Sequence, residues 1–401
     1  MSQAPTPTPI LHAAPAWSDA SRQATFNTWL IRVAPTHQLA VETLRLASAD
    51  ASFRRYFRID TAQGSCIIMD APPDKEDCRP FAKVAQMMMD AGVHAPEVLA
   101  WDEPQGFMLL TDLGGQTMMQ VINREQPQAN FDLYMQAVDA LLAWQLASKP
   151  GVLPPYDEAL LRREMELFPE WYLVKHKGAV IDDAMRFTLD NTFKQIIAHN
   201  LAWPSVYVHR DFMPRNLMAP TLATACAALP PEGAVSPWGG PAARDQMMSG
   251  TAQAPRLGVL DFQDAVYGPL TYDIASLMRD AFLTWEEDFC LDITIRYWEK
   301  ARKAGLPVGD DFGEFYRGVE WMGLQRHLKV AGIFARLTLR DGKPKYLADA
   351  PRFIHYIRST ASRYRELTPL LRLIDKIEGT ATALVNDRVW SDAVVHNKNR
   401  L

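Results

Sequence analysis

The stretch His209-Arg210-Asp211-Phe212-Met213-Pro214-Arg215-Asn216 places a carboxylate and an amide five residues apart. This is the H-x-D-x-x-x-x-N arrangement on which phosphoryl transfer relies. A carboxylate at Asp211 can accept the proton of an attacking hydroxyl and aim its oxygen. An amide at Asn216 can turn its carbonyl oxygen toward Mg²⁺. A second carboxylate closes an apolar run at Val259-Leu260-Asp261-Phe262-Gln263. Asp261 is suited to bridge the ion and the terminal phosphates, sharing it with Asn216. The two signals predict phosphoryl transfer from ATP, with Asp211 as base and Asn216 and Asp261 as metal ligands. His209 is expected to hold the loop together, and Asp264 is a weaker candidate for the metal. Asp273, in Tyr267-Gly268-Pro269-Leu270-Thr271-Tyr272-Asp273-Ile274-Ala275, reads as a helix cap.

Upstream, Asp50-Ala51-Ser52-Phe53-Arg54-Arg55-Tyr56-Phe57-Arg58 occupies the place of a loop that covers phosphates. It has no glycine, but the small Ala51 and Ser52 permit close approach of backbone. Ser52, Phe53, Arg54 and Arg55 are the candidate nucleotide contacts, the arginines reaching toward phosphate oxygens.

The elements that must position these groups change character along the chain. Ser21 to Ala34 has helical spacing and is expected to end at Pro35. Tyr56–Asp60 and Cys66–Met69 read as strands joined at Ala62-Gln63-Gly64, with further strands at Val98–Ala100 and Phe107–Leu110. Phe81–Ala91 reads as an amphipathic helix ending at Gly92. The first 112 residues are therefore a small sheet with one long helix on it. From Asn130 the pattern is helical, through Phe131–Ala147, Asp183–Asn200, Trp285–Ala304 and Phe312–Arg340. Leu109-Leu110-Thr111-Asp112-Leu113-Gly114-Gly115 joins the two halves. Residues 220–256, rich in Pro, Gly and Ala, read as a low-complexity insertion bulging from a strand pair that stays in place.

With 401 residues, two lobes are expected. A net charge of -5 argues against nucleic acid as a partner. Cys66, Cys78, Cys226 and Cys290 are scattered, without the spacing of a zinc site or a disulfide framework. Residues 1–20 read as a disordered tail rather than a signal peptide, and no apolar run is long enough to span a bilayer. A cytoplasmic monomer that does not contact the membrane is expected.

The motifs and the hinge resemble the aminoglycoside phosphotransferase and choline kinase superfamily. Within it, Asp50–Arg58, Met69-Asp70-Ala71-Pro72-Pro73 with Glu76-Asp77 behind it, Leu260–Val266 and Trp321–Val330 are similar to the anomeric N-acetylmuramate/N-acetylglucosamine kinases of bacterial cell-wall recycling. The likeness runs from residue 21 to residue 375, the insertion apart. It implies an α+β, protein-kinase-like fold of two lobes. The N-lobe, 21–112, is a small antiparallel sheet that covers the nucleotide. The mostly helical C-lobe, 113–401, carries the catalytic loop, the metal site and the sugar pocket. It further implies ATP as co-substrate, Mg²⁺ as ion, and backbone around Thr111 and Leu113 facing adenine. The acceptor would be the C1 hydroxyl of a free amino sugar, more acidic than other sugar hydroxyls because of the ring oxygen. One departure stands out. Such kinases carry a Lys on the third strand, whereas Cys66-Ile67-Ile68-Met69-Asp70 has no basic residue. Arg54, Arg55, Arg58 and Lys75 are the available substitutes.

A lactyl carboxylate on the sugar would favour basic neighbours. Arg326, Lys329, Arg336 and Arg340 fall close to one helical face with His327 beside them. Arg326 and His327 are the expected sugar-side residues, although such a stripe also fits a solvated basic face. Two other readings compete. An aminoglycoside or other small-molecule phosphotransferase would need an acidic cluster for a polycation, and the last hundred residues hold no strongly acidic run. A non-catalytic nucleotide-binding regulatory module is supported by the missing strand Lys and opposed by the retention of Asp211, Asn216 and Asp261.

Overall fold

The computed structural model describes residues 17, 19–49, 53–220 and 256–380. Of the expected tail, residues 1–16 and 18 lie outside the described residues, as does the body of the insertion, 221–255, whereas Asp19 and Ala20 already begin the first helix. The chain divides into two compact units, and the division does not follow a single cut in the sequence. The first unit gathers Met1–Arg124, Asp132–Trp144 and Pro214–Asp264; the second gathers Glu125–Phe131, Gln145–Met213 and Ala265–Leu401.

The first unit is built on helix α1 (Ala20–His37) and an antiparallel sheet of β1 (Leu39–Ala49), β2 (Arg55–Thr61), β3 (Gly64–Asp70), β4 (Val98–Asp102) and β5 (Phe107–Thr111). Their spatial order is β1-β2-β3-β5-β4. Alternation drives the packing: Phe57 and Ile59, Cys66 and Ile68, and Phe107 and Leu109 put one apolar face together. Phe26, Trp29 and Leu30 of α1 close over it. Asp19 starts this helix, its Oδ1 accepting from the backbone N–H groups of Ser21 at 2.8 Å and Arg22 at 3.1 Å. The helix runs past Pro35, where the sequence predicts its end. Gln38, left-handed at φ 52°, returns its N–H to the Ala34 and Pro35 carbonyls and closes the last turn. β1 is the strand that sequence pattern misses, because register shifts after Ala40 and Leu46 break its period of two. Helix α2 (Arg79–Asp90) buries Phe81, Val84, Ala85 and Met88, and the Phe81 ring lies 5.0 Å from that of Phe262.

The second unit is helical around a two-stranded ribbon, Ser205–Val208 antiparallel to Val266–Pro269. Its axis is the 28-residue helix Phe312–Leu339, which is buried almost continuously from Gly318 to Lys329. A helix enclosed on every side cannot present a solvated basic face. Arg326, His327 and Lys329 are therefore interior, which sets aside the solvated-face reading for them, whereas Arg336 is half-buried and Arg340 exposed. The small antiparallel sheet and the mostly helical remainder are the α+β architecture expected.

Candidate active site

The catalytic-loop candidates belong to the second unit. Strand Ser205–Val208 delivers the chain to His209, which is fully buried. The His209 and Arg210 backbone N–H groups donate to the two oxygens of Asp273, at 2.7 and 3.0 Å. Asp273 thus does not cap its own helix, Thr271–Met278, whose N-cap is Leu270. It sits within the first turn, fully buried, and fastens the loop instead. Burial pushes its carboxyl up to about 7 against the pull of those two N–H groups. The Asp211 N–H donates to His209 Nδ1 at 3.2 Å, so His209 serves the loop's own structure. Arg210 carries a left-handed backbone, φ 78°, a conformation costly for a residue with a side chain. Its carbonyl accepts from Arg326 Nη1 at 2.6 Å. Its guanidinium donates to Glu164 at 2.5 Å.

Asn216 and Asp261 belong to the first unit. A two-pair ladder, Leu217↔Val259 and Met218↔Gly258, spans the insertion, and the Leu260 N–H donates to the Asn216 carbonyl at 2.8 Å. The strand pair therefore stays in place, as the sequence requires. Asn216 Nδ2 reaches Asp261 Oδ2 at 3.2 Å, and Gln263 Nε2 reaches the other oxygen at 2.8 Å. Asp261 is the second functional candidate with left-handed backbone, φ 63°. The ribbon is sewn to the rest of its unit through Val259 N–H to His94 O, Ala219 N–H to Gln116 O and Met119 N–H to Pro214 O. At Gly258 a Cβ would meet Leu113 Cδ1 at 2.8 Å and Met218 Cβ at 3.1 Å, so only glycine lets the ladder lie this close to the hinge. One carboxylate and one amide, with phosphate and water oxygens to complete the shell, is a donor set that fits Mg²⁺. No group of three or more His, Cys, Asp or Glu that could hold a metal occurs among the described residues.

Of the nucleotide candidates, Ser52 lies outside the described residues. Phe53 is exposed, and its N–H donates to Glu76 at 3.3 Å. Arg54 is buried and pairs with the same Glu76 at 3.1 Å. Arg55 shares the fully buried Asp70 with Arg22. Arg58 is committed to Asp112, at 2.6 and 3.0 Å, and to the Gly114 carbonyl at 2.7 Å. Lys75 pairs with exposed Asp74. Thr111 ends β5, its Oγ1 accepting from the Glu97 N–H at 2.9 Å. Asp112 also accepts from Ser65 Oγ at 2.6 Å and the Gly114 N–H at 3.0 Å, which fixes the backbone that leads to Leu113.

Arg326 lies at the catalytic loop, where burial opposes its charge and Tyr272 and then Asp211 reinforce it. His327 is a core residue: its Nε2 meets the Arg279 carbonyl at 3.1 Å and its ring stacks on Tyr356 at 4.4 Å. Burial depresses its basicity to about 3, so it is neutral across the physiological range.

Sequence reasoning missed Glu164 and Asp112, and mistook Asp273. The one available signal for Glu164 is its place between Leu161 and Met165 on the buried face of helix Glu158–Met165. Asp112 sits in the recognised hinge but nothing in sequence pairs it with Arg58.

A model of the phosphotransferase enzyme family matches residues 43–224 and 246–312. The N-acetylmuramate/N-acetylglucosamine kinase of Neisseria meningitidis serogroup B is 46% identical over 360 residues, 89% of this chain and 96% of that protein. The protein of the same description from Pseudomonas aeruginosa is 42% identical over 373 residues, 91% of this chain and 100% of that one. Among solved structures, Plasmodium vivax ethanolamine kinase aligns with a TM-score of 0.53 at 11% identity, over 88% of this chain and 90% of that one, a likeness of fold alone.

Proposed function

The chain belongs to the phosphotransferase enzyme family, and from that premise we propose a specific reaction. The γ-phosphoryl group of ATP is transferred to the anomeric C1 hydroxyl of N-acetylmuramate or N-acetylglucosamine. The product is the sugar 1-phosphate, which would supply the recycling of cell-wall precursors. Substrate class is supported by the two relatives described above, each similar over nearly its whole length. The observation that carries the reaction type is the Asn216–Asp261 contact, 3.2 Å between side chains 45 residues apart, kept in register across a long insertion. Asn216 follows Asp211 by five residues in the sequence, so the pair and the H-x-D loop can serve one reaction.

In this reading the C1 oxygen attacks the γ-phosphorus, and the bond from that phosphorus to the β–γ bridging oxygen breaks. ADP departs with the bond's electron pair, and the hydroxyl proton passes to Asp211. Asp211 orients the oxygen for in-line attack and takes its proton late, since positioning and charge neutralisation dominate this class of reaction. Asn216 and Asp261 are the residues that would hold Mg²⁺, which when bound neutralises phosphate charge. Arg54, which lies in the loop that would cover the phosphates and is paired with Glu76, is proposed to take the role of the absent strand Lys. Ser52 and Phe53 would approach the phosphates through their backbone, and Thr111 and Leu113 would face adenine. Arg326 is the proposed sugar-side residue. For His327 an indirect part is proposed, through the Arg279 carbonyl. We take the active species to be a monomer.

The test is ³¹P NMR of the protein with Mg-ATP and N-acetylmuramate, with Asp211→Asn as control. A new sugar 1-phosphate resonance, absent with the variant, is expected. ATP binding without transfer to any amino sugar or aminoglycoside would instead favour a regulatory module.

A further inference from the structure

We infer that Arg58 is a positioning residue for the nucleobase: with Asp112 and Ser65 it braces the hinge so that the Leu113 backbone stays open to the edge of a purine. The inference deepens the reading in which Thr111 and Leu113 face adenine, and it rests on that reading. All the groups involved lie in the first unit. The nearly buried Asp112 carboxylate is filled on both oxygens. Its Oδ2 accepts from Arg58 Nε and Ser65 Oγ, each at 2.6 Å, and its Oδ1 from Arg58 Nη2 and the Gly114 N–H, each at 3.0 Å. Arg58 Nη2 also donates to the Gly114 carbonyl at 2.7 Å. Both polar groups of Gly114 are thus bound, at φ 113°, a conformation that glycine adopts freely.

The consequence falls on Leu113. Its carbonyl shares a planar trans peptide with the Gly114 N–H, so the two point in opposite directions. With the N–H turned to Asp112, the carbonyl is turned away from it. Neither that carbonyl nor the Leu113 N–H has a hydrogen-bond partner among the described residues, although Leu113 is largely buried. A donor and an acceptor left open on one buried residue point to a ligand, because buried backbone groups are otherwise paired. The Thr111 N–H is no alternative, since it donates to the Glu97 carbonyl at 3.0 Å. Adenine matches the open pair: its amino group can donate to the carbonyl and a ring nitrogen can accept from the N–H. Arg58, in the middle of β2, ties the Asp112 carboxylate and the Gly114 carbonyl to the sheet at once, a task for a planar fork rather than a single ammonium. Ser65 and the Gly114 N–H stay on Asp112 when Arg58 is lost. The hinge then keeps its fold and loses precision, so the effect is graded rather than complete.

Calorimetry on the full chain tests this with Mg-ADP, which carries the base, and Mg-pyrophosphate, which does not. The wild-type chain should bind ADP at least about tenfold more tightly than pyrophosphate, as base contacts require. Arg58→Met should weaken ADP about tenfold, the equivalent of one hydrogen bond, and leave pyrophosphate within about twofold. Should Arg58→Met not melt cooperatively, Arg58→Lys decides alone: a loss of about three- to fivefold for ADP is expected, and undiminished ADP binding would overturn the inference. Equal weakening of ADP and pyrophosphate would also overturn it, since Arg58 would then serve the phosphates in place of the missing strand Lys. If ADP and pyrophosphate bind the wild-type chain alike, the adenine reading itself fails. If ADP keeps its full advantage in Arg58→Met, the brace fails and the adenine reading stands.

Discussion

Arg210 and Asp261 are two of only three non-glycine residues with left-handed backbone among those described, and the third, Gln38, merely ends a helix. Strain thus marks the same two short stretches that side-chain chemistry picks out of the sequence. Asp211, Asn216 and Asp261 are legible because their residue types and spacing state a chemistry. Glu164 is not, because its meaning comes from Arg210 and Lys329, 46 and 165 residues away, and from burial that no local pattern reveals. Its charge has a measurable consequence. Burial raises the Glu164 carboxyl, but Lys329 and Arg210 overcome this and hold it at about 2, below the ordinary 4.5. The folded state therefore binds its proton more weakly than the unfolded state. Its contribution to stability is complete above pH 4.5 and drains away as pH falls toward 2. Urea denaturation followed at pH 6 and pH 3 should show this loss in the wild-type chain and a smaller loss in Glu164→Gln. An equal loss in both would remove Glu164 from the acid response.

At the scale of elements, length was easier to read than facing. The long helix over 312–339 is predictable to within a residue, yet Arg326, His327 and Lys329 point inward because neighbours enclose that stretch, and enclosure is a tertiary fact. The hairpin of β2 and β3 and the strands β4 and β5 follow from alternation and turn residues, whereas β1 hides behind its register shifts. The short ladder Leu217–Met218 with Gly258–Val259 is too brief for any periodicity and is implied only by the need to join Asn216 and Asp261. Its vulnerable point is Gly258. Gly258→Val would drive a side chain into Leu113 and Met218, and overpacking of this kind costs about 1–3 kcal/mol. Chemical denaturation should register that loss, together with a fall in turnover as Asp261 is displaced. Unchanged stability would mean that the ladder yields at no cost.

For the whole molecule, the sequence anticipates an α+β enzyme in two parts, but not that the metal-side segment, Pro214–Asp264, clusters with the unit that carries the five-stranded sheet. Hydrogen bonds to His94, Gln116 and Met119 cause this, and none is visible in a one-dimensional pattern. Among the described residues no helix is long and apolar enough to cross a membrane. The ladder spanning 221–255 makes a global prediction. Replacing those residues with a four-residue Gly/Ser turn should retain kcat and raise stability by roughly 1–2 kcal/mol, since a shorter loop loses less entropy on closure. An insoluble or inactive product would show that the segment is required. The same ladder also bears on how related chains should be compared. Because the ladder fixes which side chain follows it, a gap one residue too short in an alignment sets a relative's acid against Leu260 instead of Asp261 and erases it from the comparison. Relatives that differ in loop length here are best aligned outward from the glycine that abuts the hinge, with the gap confined to the loop.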